Sequence, residues 1–457
     1  MNHIETVNPA NQKKIAEYPL LDYTSAKIKV ERSHKAFLEW RQQSLEDRSQ
    51  LMKNVAELLL EKKNECARLI TTEMGKPIKQ AESEIEKCAL VCNHYAKNAA
   101  EYLVERIIRT ERKKSFVCYQ PLGVIFAIMP WNYPFWQVFR FAAPNIMAGN
   151  TAILKHAPIS CGAGEMIEDM FLQAGFPEGI FQNIVVNNEV AASVIGEPHI
   201  VGVTLTGSAR AGRSVSETAG SHLKKVVMEL GGSDPYLILE DADLDLAADC
   251  VVQSRLNNAG QVCIAAKRIL VDKSCKEKFM EKIAQRMSEY KPMNPMLEEC
   301  KMGPMARLDL RDTVHEQVQR SIQKGAKLIK GGTVPEGEGF FYPATLLDNI
   351  CPGMPAFDEE LFGPVIALTT IENEQQGIAL ANNSSFGLGA SVFTRDIDKG
   401  EHIARNCLEA GACFVNSIVV SDPRLPFGGI KQSGYGRELS AEGMHEFVNI
   451  KTVVVDE

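Results

Sequence analysis

Short apolar runs typical of β-strands alternate with helical segments along most of this chain, and this alternation limits the possible folds more than any other feature. One series contains GVIFAIMP, TAILKHA, IVGVTLTG, KKVVMELGG and PYLILE, and a second contains AAKRILVD, PVIALTTI and ACFVN. Strands that alternate with helices at this spacing form βαβ units around a parallel sheet. The sequence therefore predicts an α/β fold in which two α/β units leave a cleft between them.

Composition narrows the classes of function. The chain has 457 residues and a formal net charge of -8, which argues against nucleic acid or an anionic membrane as a partner. The start MNHIETVNPANQKK lacks the apolar core of a secretory signal, and no run of about 18 apolar residues predicts a membrane span. Twelve scattered cysteines indicate reduced thiols, so we expect a cytoplasmic protein.

The cysteines do not predict a metal site. Cys88 and Cys92 are spaced to share one face of a helix, and only His94 lies near them in the sequence. A zinc site normally needs a second cluster of ligands at a suitable spacing. We expect no bound metal.

The C-terminal segment EFVNIKTVVVDE is rich in β-forming residues and has nothing after it to pair with. An unpaired strand edge promotes association with another chain. We expect a partner subunit to complete this strand, in a homodimer or a homotetramer.

Cys263 stands in NNAGQVCIAAKR, between a predicted helix and a predicted strand. Most cysteines are buried and inert, but a thiol in a glycine-containing turn can meet a substrate. A nucleophilic thiol then needs either a lowered pKa or a nearby base.

Glu229 is the candidate base. It ends an apolar strand in MELGG, so the strand can bury the carboxylate while the two glycines leave it accessible. Burial would raise its pKa toward the range useful to a general base. An ion pair or a helix cap is the structural alternative.

The segment PWNYPFW surrounds Asn132 with aromatic side chains. The amide of Asn132 can donate to a developing oxyanion, although an asparagine in an aromatic core would look similar. LTGSARAG follows another strand and places Gly207 and Ser208 before a helix, where a phosphate can bind. With Gly212, Arg213 and Ser214 it nearly matches a P-loop, which keeps a nucleotide hydrolase as an alternative, but arginine replaces the required lysine.

These motifs occur together and in order: PWN, LTGS, MELGG, GQVC, EELFGPV and PFGGIKQSGYGRE. As a set they resemble the NAD(P)-dependent aldehyde dehydrogenase superfamily over nearly the whole chain. The resemblance implies that Cys263 attacks the aldehyde and that Glu229 activates the thiol or the hydrolytic water. It also implies that Asn132 and the backbone N–H of Cys263 form an oxyanion hole. The product would be a free acid formed through a thiohemiacetal and a thioester.

The same resemblance implies a site for NAD or NADP. Lys155 and Glu360 would hold ribose hydroxyls, and Ser208 would meet the pyrophosphate. Many NAD-preferring relatives have glutamate where this chain has Pro158, so the choice between NAD and NADP stays open. The candidate cofactor-binding residues are Trp131, Lys155, Pro158, Gly207, Ser208, Leu230, Glu360 and Phe362.

The fold implied by the resemblance is a Rossmann-like cofactor domain, an α/β catalytic domain and a small β oligomerisation element. Residues 1–114 and 129–228 would form the cofactor domain, and residues 229–421 the catalytic domain. Residues 115–128 and 438–457 would supply the oligomerisation strands.

The substrate is indicated by Arg140, eight residues after Asn132 on a helix expected to line the substrate tunnel. A guanidinium there can bind a carboxylate with two hydrogen bonds, as a semialdehyde substrate requires, and Ser421 is a possible second contact. The spacing resembles that of succinate-semialdehyde dehydrogenases. A structural salt bridge of Arg140, another small aldehyde as substrate, and an inactive structural relative are the alternatives.

Overall fold

The computed structural model describes residues 3–456. Its α-helices are α1 Tyr23–Trp40, α2 Leu45–Glu61, α3 Lys63–Met74, α4 Ile78–Tyr102, α5 Trp136–Ala148, α6 Cys161–Gln173, α7 Asn188–Gly196, α8 Ala209–Ser221, α9 Leu244–Leu256, α10 Lys276–Met287, α11 Leu308–Gln323, α12 Pro355–Asp358, α13 Glu374–Asn382, α14 Ile397–Asn406 and α15 Ser440–His445. Short 3₁₀ turns cover Pro158–Ser160 and Asn257–Gly260.

The strands are β1 His3–Val7, β2 Lys14–Pro19, β3 Arg106–Ile108, β4 Lys114–Pro121, β5 Val124–Met129, β6 Thr151–His156, β7 Phe181–Asn183, β8 Ile200–Thr206, β9 Lys225–Glu229, β10 Asp234–Ile238, β11 Ala266–Asp272, β12 Lys327–Lys330, β13 Thr345–Asp348, β14 Val365–Ile371, β15 Phe386–Gly387, β16 Gly389–Phe393, β17 Ala412–Val415, β18 Ile430–Lys431, β19 Gly434–Tyr435 and β20 Val448–Val455. These strands follow the predicted alternation with helices closely, and the fold is the predicted α/β class.

Two large sheets organise the molecule. The first has the order β19-β9-β8-β5-β6-β7, in which all neighbours are parallel except β19. The second has the order β12-β13-β14-β11-β10-β16-β17, in which all neighbours are parallel except β12. In the first sheet the chain leaves β5 in both directions, to β6 on one side and later to β8 on the other. Ligands of such sheets bind at the carboxyl ends of the strands beside this reversal.

A smaller sheet, β20-β4-β3, corrects part of the predicted oligomerisation element. Lys114–Pro121 does pair with Val448–Val455, but Val124–Met129 lies in the middle of the first large sheet. Every side chain of β5 except one is fully buried, which is typical of a central parallel strand covered on both faces. Within 438–457, Ser440–His445 is helical and does not form part of the strand.

Helix α4 connects the fold to the site. It begins after Pro77, and its buried residues recur every three or four positions, as on the inner face of an amphipathic helix. That face packs against α2, α3 and α5. Within residues 3–456 no helix combines the length and the apolarity needed to cross a membrane.

Candidate active site

The carboxyl edge of the first sheet brings together most of the residues selected from the sequence. Strand β5 leads directly to Trp131 and Asn132, β6 carries Lys155, β8 leads to Ser208, and β9 ends at Glu229. Parallel strands end at one edge, so residues far apart in the sequence become neighbours there. Topology therefore builds one site from four separate motifs.

The turn before Cys263 has an unusual backbone. Asn258 and Ala259 have φ angles of 50° and 52°, and Gly260 follows at 73°. Left-handed φ at an alanine is strained, and such strain concentrates at functional sites. A Cβ on Gly260 would lie 2.2 Å from the carbonyl oxygen of Gly363, so no larger residue fits. The turn therefore places the cysteine by close backbone packing.

Burial raises the pKa of the partly exposed Cys263 thiol to about 11, although the charges of Lys267 and Arg140 oppose the shift. Of the two activation routes open to a cysteine, a lowered pKa or a nearby base, the structure supports the second. A thiol with this pKa is almost entirely protonated near neutral pH, so attack requires a group that removes the proton.

Asn132 is buried beside the nucleophile turn. Its amide nitrogen donates to the carbonyl oxygen of Gln261 at 3.0 Å, two residues before Cys263. Its backbone carbonyl accepts from the side chain of Asn258 at 2.9 Å. The amide is thus held next to the cysteine, and its second N–H is the group that a developing oxyanion would use.

Glu229 is buried at the end of β9, and its carboxylate packs against Gly428, where a Cβ would approach its oxygen to 2.8 Å. Burial raises the pKa of Glu229 well above its usual range, as the strand-end position predicted, while the Arg140 charge lowers it. Neither carboxylate oxygen has a hydrogen-bond partner among the described residues. A buried carboxyl group without partners is suited to accept and release a proton.

Arg140 lies on α5, and its guanidinium forms a buried ion pair with Glu438. It also donates to the hydroxyl of Thr206 at 3.3 Å and stacks over Phe427. The salt bridge left open by the sequence is therefore present. Arg140 also lines the cavity described below, but its charge is already balanced by Glu438.

The residues expected to hold the cofactor lie along the same edge. Lys155 is buried, and burial lowers its pKa. Ser208 caps α8 by accepting from the N–H of Ala211 at 3.3 Å, and a Cβ on Gly207 would meet only one side-chain atom, at 3.6 Å. Pro158 opens the 3₁₀ turn that follows β6.

Glu360 reaches the site from the second sheet. Its carboxylate accepts from the N–H of Gly232 at 3.1 Å and forms an ion pair with Lys267 at 3.3 Å. The rings of Trp131 and Phe362 meet edge to face, with centroids 5.8 Å apart. Glu360 and Phe362 thus lie opposite the residues contributed by the first sheet.

The P-loop alternative is wrong. Residues 209–214 are the first turns of α8 rather than an open phosphate loop. Gly212 is small because Leu230 packs against it, at 2.7 Å from a would-be Cβ, and Arg213 donates to Gln432 on the surface. Leu230 thus supports the helix that begins beside Ser208.

A cavity of about 500 Å³ opens onto Cys263. Among its lining residues are Lys87, Trp136, Arg140 and Ser421. The ammonium of Lys87 donates to the hydroxyl of Ser421 at 2.8 Å and lies 4.2 Å from the centre of the Trp136 ring. The structure therefore brings both predicted substrate residues, Arg140 and Ser421, to the cavity that Cys263 lines.

Sequence reasoning missed three residues of this site: Lys87, Lys267 and Glu438. Lys267 is buried in β11 and donates to the carbonyl oxygens of Val262, at 2.9 Å, and of Cys263. A lysine inside the apolar run AAKRILVD was a usable signal, because buried lysines are rare unless paired. Lys87 gave no signal, since it resembles any solvated lysine on a helix.

Comparison with known proteins agrees with this geometry. Residues 1–453 match the aldehyde dehydrogenase family. A probable succinate-semialdehyde dehydrogenase [NADP(+)] of Synechocystis sp. is 44% identical over 98% of this chain and 99% of that protein. The succinate semialdehyde dehydrogenase [NAD(P)+] Sad of Escherichia coli is 41% identical over 99% of this chain and 98% of that protein.

A solved structure supports the same family assignment. Succinic semialdehyde dehydrogenase from Streptococcus pyogenes, in complex with NADP+, superposes with a TM-score of 0.97 at 34% identity, covering 99% of this chain and 100% of that one. Both the family match and these relatives span nearly the full sequence. The chain belongs to the aldehyde dehydrogenase family and is an NAD(P)-dependent oxidoreductase.

Proposed function

We propose that this enzyme oxidises succinic semialdehyde to succinate with NAD or NADP. The observation that carries the proposal is the cavity of about 500 Å³ that joins Cys263 to cationic side chains within one enclosure. A short aldehyde with a carboxylate at its far end suits such a cavity, because the aldehyde can meet the thiol while the carboxylate meets a cation. The names of the Synechocystis and E. coli relatives support the same substrate.

In the first step, Glu229 takes the proton of the Cys263 thiol, and the sulfur attacks the aldehyde carbon. A C–S bond forms, and the carbonyl oxygen becomes an oxyanion. The amide of Asn132 and the backbone N–H of Cys263 stabilise this charge in the resulting thiohemiacetal. The raised pKa of the thiol is the reason that a base is needed.

A bound NAD(P) would supply the hydride acceptor, and loss of the hydride from the thiohemiacetal carbon would leave a thioester on Cys263. Glu229 first releases the proton of the thiol to solvent and then takes a proton from water, whose oxygen attacks the thioester carbon. The C–S bond breaks, Glu229 returns a proton to the Cys263 sulfur, and the product leaves as a free carboxylic acid. The burial of Glu229 without hydrogen-bond partners supports one group acting as base in both steps.

The donor set fits the cofactor. The ammonium of Lys155 and the carboxylate of Glu360 suit the paired hydroxyls of a ribose, and the N-terminus of the 13-residue α8 suits a pyrophosphate. The open space beside Gly207 lets phosphate approach the backbone. Trp131 and Phe362 would flank the nicotinamide. Leu230 would hold α8 in place by packing against Gly212.

Pro158 bears on the choice between the two cofactors. It stands where a carboxylate would repel the 2′-phosphate of NADP, and the chain offers no such repulsion there. We therefore propose that NADP is accepted as well as NAD.

The test is a panel of aldehydes assayed with NAD and NADP separately, following formation of the reduced nicotinamide. Succinic semialdehyde should give the highest kcat/KM, and butanal is the matched control because it has four carbons and no carboxylate. Equal efficiency with the two aldehydes would disprove the succinic semialdehyde assignment and leave only the aldehyde dehydrogenase.

We also propose a homo-oligomer, a dimer or a tetramer, in the cytoplasm. The three-stranded sheet exposes Ile107 on the edge strand β3 and Ile450 and Val454 on the edge strand β20, each more than half accessible. Within residues 3–456, the outer edge of β20 has no neighbouring strand. An apolar sheet with a free edge favours pairing with a second copy. Deleting residues 445–457 should give monomers or aggregates in sizing with light scattering, whereas a soluble oligomer of native size would contradict the proposal.

A further inference from the structure

Three cations line the cavity near Cys263, namely Lys79, Lys87 and Arg140. Lys79 is exposed, and the other two differ in what surrounds them. Arg140 is buried in an ion pair with Glu438. The ammonium of Lys87 directly contacts a hydroxyl and an aromatic face, namely Ser421 at 2.8 Å and the Trp136 ring at 4.2 Å. Within residues 3–456, no carboxylate forms an ion pair with Lys87.

The acidic groups that face Lys87 are already occupied. Glu84, on the same helix, forms an ion pair with Lys76 and accepts from the backbone N–H groups of Phe135 and Trp136 at 2.9 and 3.0 Å. Asp422, in the loop opposite, accepts from Arg424 at 2.6 and 2.8 Å. A partly buried ammonium without an acidic partner has no negative charge to offset the cost of its burial. A bound anion would supply that charge.

Building on the proposed function, we infer that Lys87 is the residue that recognises the substrate's carboxylate. The carboxylate accepts from the Lys87 ammonium and from the hydroxyl of Ser421, while the aldehyde lies at Cys263. Arg140, balanced by Glu438, shapes the cavity wall and adjusts the charge around Glu229. Substrate choice in this chain thus depends on a lysine of α4.

The electrostatics of Lys87 agree with this role. Burial, and after it the charge of the nearby Arg140 guanidinium, lower the pKa of Lys87 to about 8, while Cys88, Asp422 and Glu84 act in the opposite direction. Below that pH the free enzyme carries the ammonium that an anion needs. Above it the ammonium is lost, so selectivity for an anionic aldehyde should fall as pH rises through about 8.

The decisive variant is Lys87→Met, which removes the charge and keeps the length of the side chain. We expect the ratio of kcat/KM for succinic semialdehyde to kcat/KM for butanal to fall about 10- to 100-fold, the value of one charged hydrogen bond. Lys87→Gln gives a second neutral variant, and Lys87→Arg should retain most of the selectivity. Melting temperature and NADP binding check that each variant is folded.

Lys79 provides the matched control. It lies on the same helix and lines the same cavity, but it is exposed and paired with Glu82 and Glu298. Lys79→Met should change the selectivity ratio less than about twofold, because exposed ion pairs contribute little. An equal loss in Lys79→Met would show a general charge effect and overturn the inference.

The pH profile is an independent readout. In the wild type, the selectivity ratio should fall above about pH 8, and the fall should be absent in Lys87→Met. An unchanged ratio and profile in folded Lys87→Met and Lys87→Gln would overturn the role of Lys87 while leaving the proposed function intact. A wild type that does not prefer succinic semialdehyde over butanal would instead refute the proposed function.

Discussion

The two ends of the substrate cavity differ in whether their charged side chains are paired. At the reaction end, defined here by Cys263, burial raises the pKa of the thiol, and Arg140 is balanced by Glu438. Burial also raises the pKa of Glu229, which lies outside the cavity lining but is affected by the charge of Arg140. At the recognition end, defined here by Lys87 and Ser421, a cation stands without an acidic partner. Chemistry that moves protons benefits from buried groups whose pKa values are shifted toward the working pH, whereas recognition of an anion needs a free positive charge. Proton transfer and recognition of the anion are therefore assigned to different ends of one cavity.

Of the substitutions that test this comparison, Cys263→Ala should have the largest effect on turnover. Loss of the nucleophile should reduce turnover on the order of 10⁴-fold or more, because no other group can form the covalent adduct. Cofactor binding should stay within a few fold, since Lys155, Ser208 and Glu360 are unchanged. Reduced-nicotinamide formation and cofactor titration measure the two. The exposed Cys351→Ala is the control, and appreciable turnover by Cys263→Ala would contradict the mechanism.

Arg140→Met tests whether the arginine belongs to the reaction end. Removing one partner of a buried ion pair costs about 3 to 5 kcal/mol, so thermal melts should show strong destabilisation. The double variant Arg140→Met with Glu438→Gln should regain much of this stability, because no uncompensated charge is left. If Arg140→Met melts like the wild type and only loses selectivity for succinic semialdehyde, Arg140 belongs to the recognition end instead.

Glu229→Gln should slow the base-dependent steps on the order of 10²-fold or more. The carboxylate is the active form, and burial raises its pKa, so wild-type activity should rise with pH as Glu229 loses its proton. This rise should vanish in the variant. Steady-state rates across neutral pH measure both effects, and an unchanged rate would remove Glu229 from the mechanism.

Ser421→Ala should have the smallest effect. Its hydroxyl is an uncharged donor, and the Lys87 ammonium still offsets the charge of the carboxylate when the hydroxyl is removed. We therefore expect a loss of about 0.5 to 1.5 kcal/mol, so kcat/KM for succinic semialdehyde should fall about 2- to 10-fold. Butanal kinetics provide the comparison. A loss as large as that of Lys87→Met would mean that the hydroxyl, not the ammonium, is the main anchor of the carboxylate.

The fold class was predictable and the candidate residues could be selected because their sequence signals are local. Strand periodicity marked β5, β8, β9 and β11. Glu229 of MELGG ends β9, and Cys263 of GQVC lies in the turn just before β11. The misplaced oligomerisation segment shows the limit of this approach. Both β4 and β5 are apolar enough to be strands, and only the pairing of Val124–Met129 with β6 and β8 shows to which sheet β5 belongs.

The sequence by itself determined the α/β class, the family and the positions of Cys263, Glu229 and Asn132, because strand patterns and short motifs depend on neighbouring residues. Only the tertiary structure decided which cation is free. Lys87 and Ser421 are 334 positions apart, and Arg140 and Glu438 are nearly as distant. Whether a charge is paired depends on which distant carboxylate the fold places beside it. Electrostatic energy depends on distance in space, which the order of residues along a chain does not specify.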